Sequence, residues 1–281
     1  MGNCCANNKL KRAPTFKGAV KESYISHRAI LGKIGNTYTF TKVLGKGHFG
    51  VVREAKKKNS KSQLLFAVKS IEKAKVEKHM PKLHRELDIL SELDHPNIIK
   101  LYEVYEDKKY IHIVTDCCYG GDLFENIVES GQYTEHKAAK VMKKLLRAIA
   151  HIHNSNIVHR DIKPENILFV DKGPESDLKI IDLGLSKKFD DTKELRSKVG
   201  TPYYVSPEVL RGVYGTECDI WALGVMLYIM LCGNPPFDGN TEKQVYHKIC
   251  HEAVKFEGVE WGEISTEAKA LIRKLLIKDP R

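Results

Sequence analysis

Long apolar runs are missing from this chain of 281 residues: none approaches the roughly eighteen residues a helix needs to cross a bilayer, which excludes such a span. No signal peptide is evident. The seven cysteines contain no CxxC pair and no zinc-ligand spacing, which argues against a metal ribbon or a disulfide framework and fits a reduced intracellular protein. No D-x-[DN]-x-[DN]-G string occurs, so this polypeptide is not expected to hold calcium in a loop of that kind. No internal repeat is present. Acidic residues are scarce at the amino end, where Met1 to Gly35 carry seven basic residues against the single acid Glu22. That segment therefore holds +6 of the formal net charge of +10, and the pI near 9.1 reflects it. With no basic patch interleaved by aromatics, nucleic acid is not the expected partner.

The most informative string present is His159-Arg160-Asp161-Ile162-Lys163-Pro164-Glu165-Asn166, followed by Asp182-Leu183-Gly184. Asp161 can orient an attacking hydroxyl and accept its proton, and Lys163 can neutralise charge on a moving phosphoryl group. Asn166 and Asp182 offer the oxygen donors that a hard divalent cation prefers. Pro164 stiffens the loop that aims them.

Upstream, Gly45-Lys46-Gly47-His48-Phe49-Gly50-Val51-Val52 has the form G-x-G-x-x-G-x-V, in which glycines let backbone N–H groups approach phosphate oxygens. A dinucleotide-binding turn would open a helix. Here a second extended run, Leu64 to Lys69, follows a polar turn at residues 57–61, so the pattern reads strand, turn, strand. Lys69 ends the apolar run Ala67-Val68. It reads as a surface lysine or as a cation that needs a partner, since an unpaired buried charge is costly. The partner expected is Glu86, on a helix spanning Pro81 to Leu93 whose Leu83, Leu87 and Leu90 recur at three- and four-residue steps and turn Glu86 inward. Glu92 falls on the outer face.

On these motifs the chain, from about Tyr38 to Arg281, resembles a eukaryotic-type serine/threonine protein kinase. The resemblance implies an α+β bilobal fold: a small, mainly β N-lobe with one helix (about 37–115), a hinge (about 116–121) and a larger, mainly helical C-lobe (about 122–281). It implies ATP and Mg2+ as cofactors. Lys69 would bind the α/β-phosphates and pair with Glu86, Asp161 would be the catalytic base, and Asn166 and Asp182 the metal ligands. Leu44, the glycine-rich residues to Val52, Ala67, Thr115, Asp116, Cys118 and Asp122 would surround the nucleotide. Thr115 would guard the back of the pocket, where its small size should admit bulky ligands. Asp122 has a second reading as a helix N-cap.

Gly200-Thr201-Pro202-Tyr203-Tyr204-Val205-Ser206-Pro207-Glu208 resembles the segment that receives the substrate, with Ser206 where the family usually has alanine. Thr201 and Lys163 are marks of the serine/threonine type. Asp219 reads as an acid favoured at a helix N-terminus, and by resemblance it braces the catalytic loop. Residues 233–239, Trp261 and residues 265–272 are similar to the calcium-dependent protein kinases of plants and protists. That branch implies protein substrates with basic residues upstream of Ser/Thr, met by Glu165 and Asp122. It also implies a calcium-binding regulatory domain or partner, which this sequence does not contain. Ser197 is either a phosphorylation site able to dock Arg160 or a plain solvent-facing serine. Such kinases usually continue past Asp279-Pro280 to an arginine that pairs with the glutamate matching Glu208, so a kinase-fold scaffold with impaired catalysis is the competing expectation.

Residues 1–36 read as a flexible tail. Gly2 offers an N-myristoylation site and Cys4 and Cys5 palmitoylation sites, although Ala6 departs from the preferred Ser/Thr. One myristoyl chain binds only marginally, so the second acyl group or the basic charge is needed to hold the expected location at the cytoplasmic face of membranes.

Overall fold

The computed structural model describes residues 29–47, 50–188 and 202–280. Of the expected site residues, Gly2, Cys4, Cys5, His48, Phe49, Ser197 and Thr201 lie outside them.

Strand-forming stretches come first, in a sheet built from β1 (Ile30–Leu31), β2 (Tyr38–Gly47), β3 (Gly50–Lys57), β4 (Leu65–Glu72), β5 (Leu101–Glu106) and β6 (Tyr110–Asp116). Their spatial order is β1-β5-β6-β4-β3-β2. β2 and β3 pair antiparallel with Gly47 opposite Gly50, so the glycines close a hairpin rather than open a helix, and β3 pairs antiparallel with β4 with Val52 opposite Lys69. Residues 29–36, assigned above to the tail, join the sheet's edge: Ile30 pairs in parallel with Tyr105, and Ile34 is buried beside Tyr38 and Phe66. An apolar side chain with a pocket to fill stabilises order there, whatever its basic neighbours suggest.

A single turn, α1 (Lys73–Val76), leads into α2 (Met80–Glu92), so the expected lone helix is preceded by a short one. Pro81 sits in the first turn of α2, where its missing N–H costs nothing, and Leu93 follows the helix in extended conformation. Leu83 and Leu87 pack on Ile71, Val104, Ile111 and Ile113 of the sheet. Leu90 and Leu93 instead join the core of the second lobe. Glu92 faces outward and pairs with Lys188 at 2.7 Å.

After the hinge the chain turns helical: α3 (Leu123–Ser130), α4 (Glu135–Asn154), then strands β7 (Ile157–Val158), β8 (Ile167–Phe169), β9 (Leu178–Ile180) and β10 (Lys187–Lys188), and helices α5 (Pro207–Arg211), α6 (Glu217–Cys232), α7 (Glu242–His251) and α8 (Thr266–Leu275). Thr134 caps α4 by accepting from Lys137 N–H, and Val141, Leu145, Ala148 and Ile152 form the stripe that it buries. α6 is apolar on every side, and it accordingly runs through the middle of the lobe with Trp221 stacked on Phe237, ring centroids 5.8 Å apart. A Cβ on Gly224 would run into Leu275 and Leu276, so its lack of a side chain lets α8 pack closely. No helix among the described residues is long and apolar enough to cross a membrane.

Candidate active site

Two short strands put the chemistry-bearing groups side by side. β8 and β9 pair antiparallel, Ile167 opposite Ile180, and Ile181 N–H donates to the Asn166 carbonyl at 2.9 Å. Asn166 and Asp182 thus emerge from neighbouring backbone. The buried Asn166 donates through Nδ2 to the Asp161 carbonyl (2.8 Å) and to Asp161 Oδ2 (3.1 Å). With its amino end so engaged, the amide turns its oxygen, the end that can ligate a cation, the other way. Lys163 Nζ lies 3.2 Å from the same Asp161 Oδ2, so the carboxylate is held between an ammonium and an amide.

The backbone around this carboxylate is strained. Arg160 (φ 70°) and Asp182 (φ 60°) both occupy the left-handed region that side chains with a Cβ avoid, and such conformations persist only where the surroundings impose them. Asp219, in the first turn of α6 and 1% exposed, accepts from Arg160 N–H (2.8 Å), His159 N–H (2.9 Å) and His153 Nε2 (2.8 Å). It is at once a helix N-terminal acid and the brace beneath the loop. Burial alone would raise its pKa, but the hydrogen bonds from His153 and the Arg160 N–H outweigh burial and hold it below the usual carboxylate range. His159 is fully buried. Its Nδ1 accepts from Asp161 N–H (3.3 Å) and its Nε2 donates to the Ile181 carbonyl (3.3 Å), which fixes a neutral ring. Burial keeps its pKa low, and the ring ties the loop to the strand end carrying Asp182.

Between the lobes lies a cleft of about 520 Å³. Of the expected nucleotide-binding residues, Leu44, Gly45, Val52, Ala67, Lys69, Glu86, Thr115, Asp116, Cys118 and Asp122 line it, together with Asp182. Lys46, Gly47, Gly50 and Val51 belong to the β2–β3 hairpin above but not to its walls. Leu168, Ile113, Leu90 and Ile181 add apolar lining that sequence reading did not assign to the nucleotide, although Leu168 stands only two residues after Asn166, on the strand that begins at Ile167.

Lys69 stands exposed in this cleft, so solvent rather than apolar strand surrounds it, and the desolvation argument made for it does not hold. That argument applies to Glu86, whose burial pushes its pKa up; Lys69 opposes this, and the Asp182 charge adds to it. Both line the cleft, yet they do not close to a direct ion pair within 4 Å. Asp122 caps α3, its Oδ1 accepting from Glu125 N–H at 2.8 Å, and it also lines the cleft. Glu165 is exposed beside the loop and raises the pKa of Tyr204 after the dominant effect of burial, which places the acid near the substrate-receiving segment.

A third lysine went unremarked in the sequence. Lys179, on β9 and largely buried, pairs with Asp116 of the hinge at 2.9 Å, and Asp116 also accepts from Lys100 N–H and Tyr102 Oη at 2.9 Å each. Lys179 sits between Leu178 and Ile180, so the sequence did carry a signal: a cation on an apolar strand needs a partner.

Comparison with known proteins agrees with this geometry. The protein kinase domain family model matches residues 38–281, and the chain belongs to that family. It is 43% identical over 273 residues to calcium-dependent protein kinase 3 of Plasmodium yoelii yoelii, covering 96% of this chain and 50% of that protein. Calcium-dependent protein kinase 5 of Plasmodium berghei (strain Anka) is 42% identical over 274 residues, 96% of this chain and 48% of the relative. Calcium-dependent protein kinase 14 of Arabidopsis thaliana is 39% identical over 300 residues, all of this chain and 56% of the relative. The chain thus spans about half the length of the relatives it matches. The family works with ATP and Mg2+, and the oxygen donors of Asn166 and Asp182 beside a nucleotide-sized cleft suit both.

Proposed function

We propose that this chain transfers the γ-phosphoryl group of ATP to serine or threonine hydroxyls of proteins, as the catalytic part of a calcium-regulated kinase. The observation that carries the proposal is Asp161. Its carboxylate is fixed by Lys163 and Asn166 on a loop that Asp219 clamps, next to a cleft that Lys69 and the β2–β3 hairpin cover. In this reading Lys69 binds the α/β-phosphates, while Cys118 and Asp116 meet the base with backbone groups. Asp161 orients the substrate hydroxyl and takes its proton, and Lys163 offsets charge on the phosphoryl group in transit. Magnesium, held by Asn166 and Asp182, would supply charge neutralisation on the phosphates. Bringing α2 toward β4, so that Glu86 meets Lys69, would complete the phosphate site.

Glu165 and Asp122 support a preference for basic residues upstream of the acceptor. Ser197 is a candidate activating phosphosite, and Gly2 with Cys4 and Cys5 candidate lipid attachment points to membranes. The relatives' names support calcium control exerted by a separate domain or partner. The decisive assay is radiolabelled phosphate transfer to a serine peptide with arginine three residues upstream. Asp161→Ala is expected to cost roughly 10²-fold or more. Undiminished labelling would leave a scaffold, and equal rates on an alanine-substituted peptide would remove the basic preference.

A further inference from the structure

Tyr119 belongs to one lobe by its backbone and to the other by its side chain. Its N–H donates to the Val170 carbonyl at 2.9 Å, and the next N–H, of Gly120, donates to Phe169 at 2.9 Å, so this end of the hinge is bonded to the β8 region of the C-lobe. Its hydroxyl donates to Glu54 Oε2 at 2.6 Å, across to β3. Glu54 is 7% exposed and lies two residues beyond Val52, hence on the same, cleft-facing side of the strand.

What holds Glu54 is a break in strand register. Phe40 pairs with Ala55 and Val43 with Arg53, so Thr41 and Lys42 together oppose Glu54, a bulge that re-aims both side chains. Thr41 Oγ1 donates to Glu54 Oε1 at 2.5 Å, and Lys42 Nζ stands 3.4 Å from Oε2 and 4.8 Å from the centre of the Tyr119 ring. The hydroxyls of Thr41 and then Tyr119 hold the Glu54 carboxyl below its usual range, so it remains an acceptor at neutral pH. Two residues past the bulge come Leu44 and Gly45, which roof the cleft.

A continuous line of hydrogen bonds therefore runs from the C-lobe through Tyr119, at the C-lobe end of the hinge, to Glu54 on β3 and Thr41 on β2, joining the hairpin to the hinge by a route other than the backbone between them. We infer that Glu54 and Tyr119 are positioning residues for the nucleotide: together they form a strut that fixes the tilt of the β2–β3 hairpin over the hinge and so the affinity for ATP. Neither touches the reacting atoms. The inference rests on the kinase reading and deepens it, because what the strut orients is the roof of the same cleft.

Steady-state kinetics of the full chain with the basic serine peptide, together with calorimetric Kd for Mg·ADP, test it. Tyr119→Phe removes only the hydroxyl and is expected to raise KM for ATP and Kd for ADP roughly three- to tenfold, the scale of one ordinary net hydrogen bond, since the strut acts on the nucleotide only through the hairpin. Peptide KM should stay put, and kcat should not fall. Glu54→Gln, which keeps an oxygen for the tyrosine hydroxyl, is expected to lose less than Glu54→Ala. The double variant of Tyr119→Phe with Glu54→Ala should be no worse than Glu54→Ala alone, since the two act as one unit. Unchanged nucleotide affinity in Tyr119→Phe overturns the strut, as do effects that multiply in the double variant. A parallel fall in kcat, both KM values and melting temperature would overturn it too, reducing the pair to general stability. If the wild type transfers no phosphate, the kinase reading falls, and the Kd ratios for ADP still decide the strut.

Discussion

Asp219→Asn replaces a carboxylate that serves three nitrogen donors, with the Cys218 thiol also 3.9 Å from Oδ1, by an amide that has one oxygen. Oδ1 accepts from Arg160 N–H, while Oδ2 serves both His159 N–H and His153 Nε2, so whichever way the amide turns, its NH2 faces at least one donor. The site is 1% exposed and no solvent compensates. Each buried donor left unpaired costs about 1–3 kcal/mol, and removing one partner of a buried charge pair costs about 3–5 kcal/mol, so a loss of about 3 kcal/mol is expected. In a chain of this size that lowers Tm by roughly 6–12 °C. The functional loss should be larger than stability alone gives. Arg160 and Asp161 are adjacent, and a shift of about 1 Å at a reacting group costs about 10²-fold in rate. Differential scanning calorimetry reads the first effect, and peptide phosphorylation well below the variant's Tm reads the second. A Tm within about 1 °C of wild type combined with unchanged kcat would refute the brace, because it would mean that the loop holds its strained Arg160 without help.

Ser206 is 1% exposed and its Oγ finds no hydrogen-bond partner among the described residues, so Ser206→Ala should be neutral or stabilising by up to about 1 kcal/mol in chemical denaturation; a loss beyond that would show a bond not seen here. Gly120→Ala would drive a methyl group into the Asp171 carbonyl and the Phe169 side chain, and about 1–3 kcal/mol of destabilisation is expected, with an unchanged melting curve counting against the close hinge packing. Burial depresses the pKa of His95, His112 and His159. Because the unfolded chain takes up protons near pH 6.5 and the folded chain resists them, their contribution is full above that pH and is lost as pH falls below it. Tm should therefore drop between pH 7.5 and 5.5, and a flat or rising profile would contradict the neutral rings.

Sequence spacing alone carried much of the reading. Glycine placement with two extended runs gave the β2–β3–β4 order, the leucine steps gave α2 and the inward turn of Glu86, and the string from His159 to Asn166 put a carboxylate, an ammonium and an amide within one loop. These are local matters, decided by backbone period and by residues only a few positions apart. Order at Ile30–Leu31 was not legible, because it depends on an edge of β5 seventy-odd residues away. Nor was the exposure of Lys69, since strand composition does not say that a cleft opens in front of it. The pairing of Lys179 with Asp116, the hold of Asp219 on His159 and Arg160, and the bond from Tyr119 to Glu54 each join residues about sixty positions apart. The chain's own order determined which chemical groups this protein has. Only folding decided which of them meet, because a hydrogen bond acts over about 3 Å in space and is indifferent to how much chain lies between its partners.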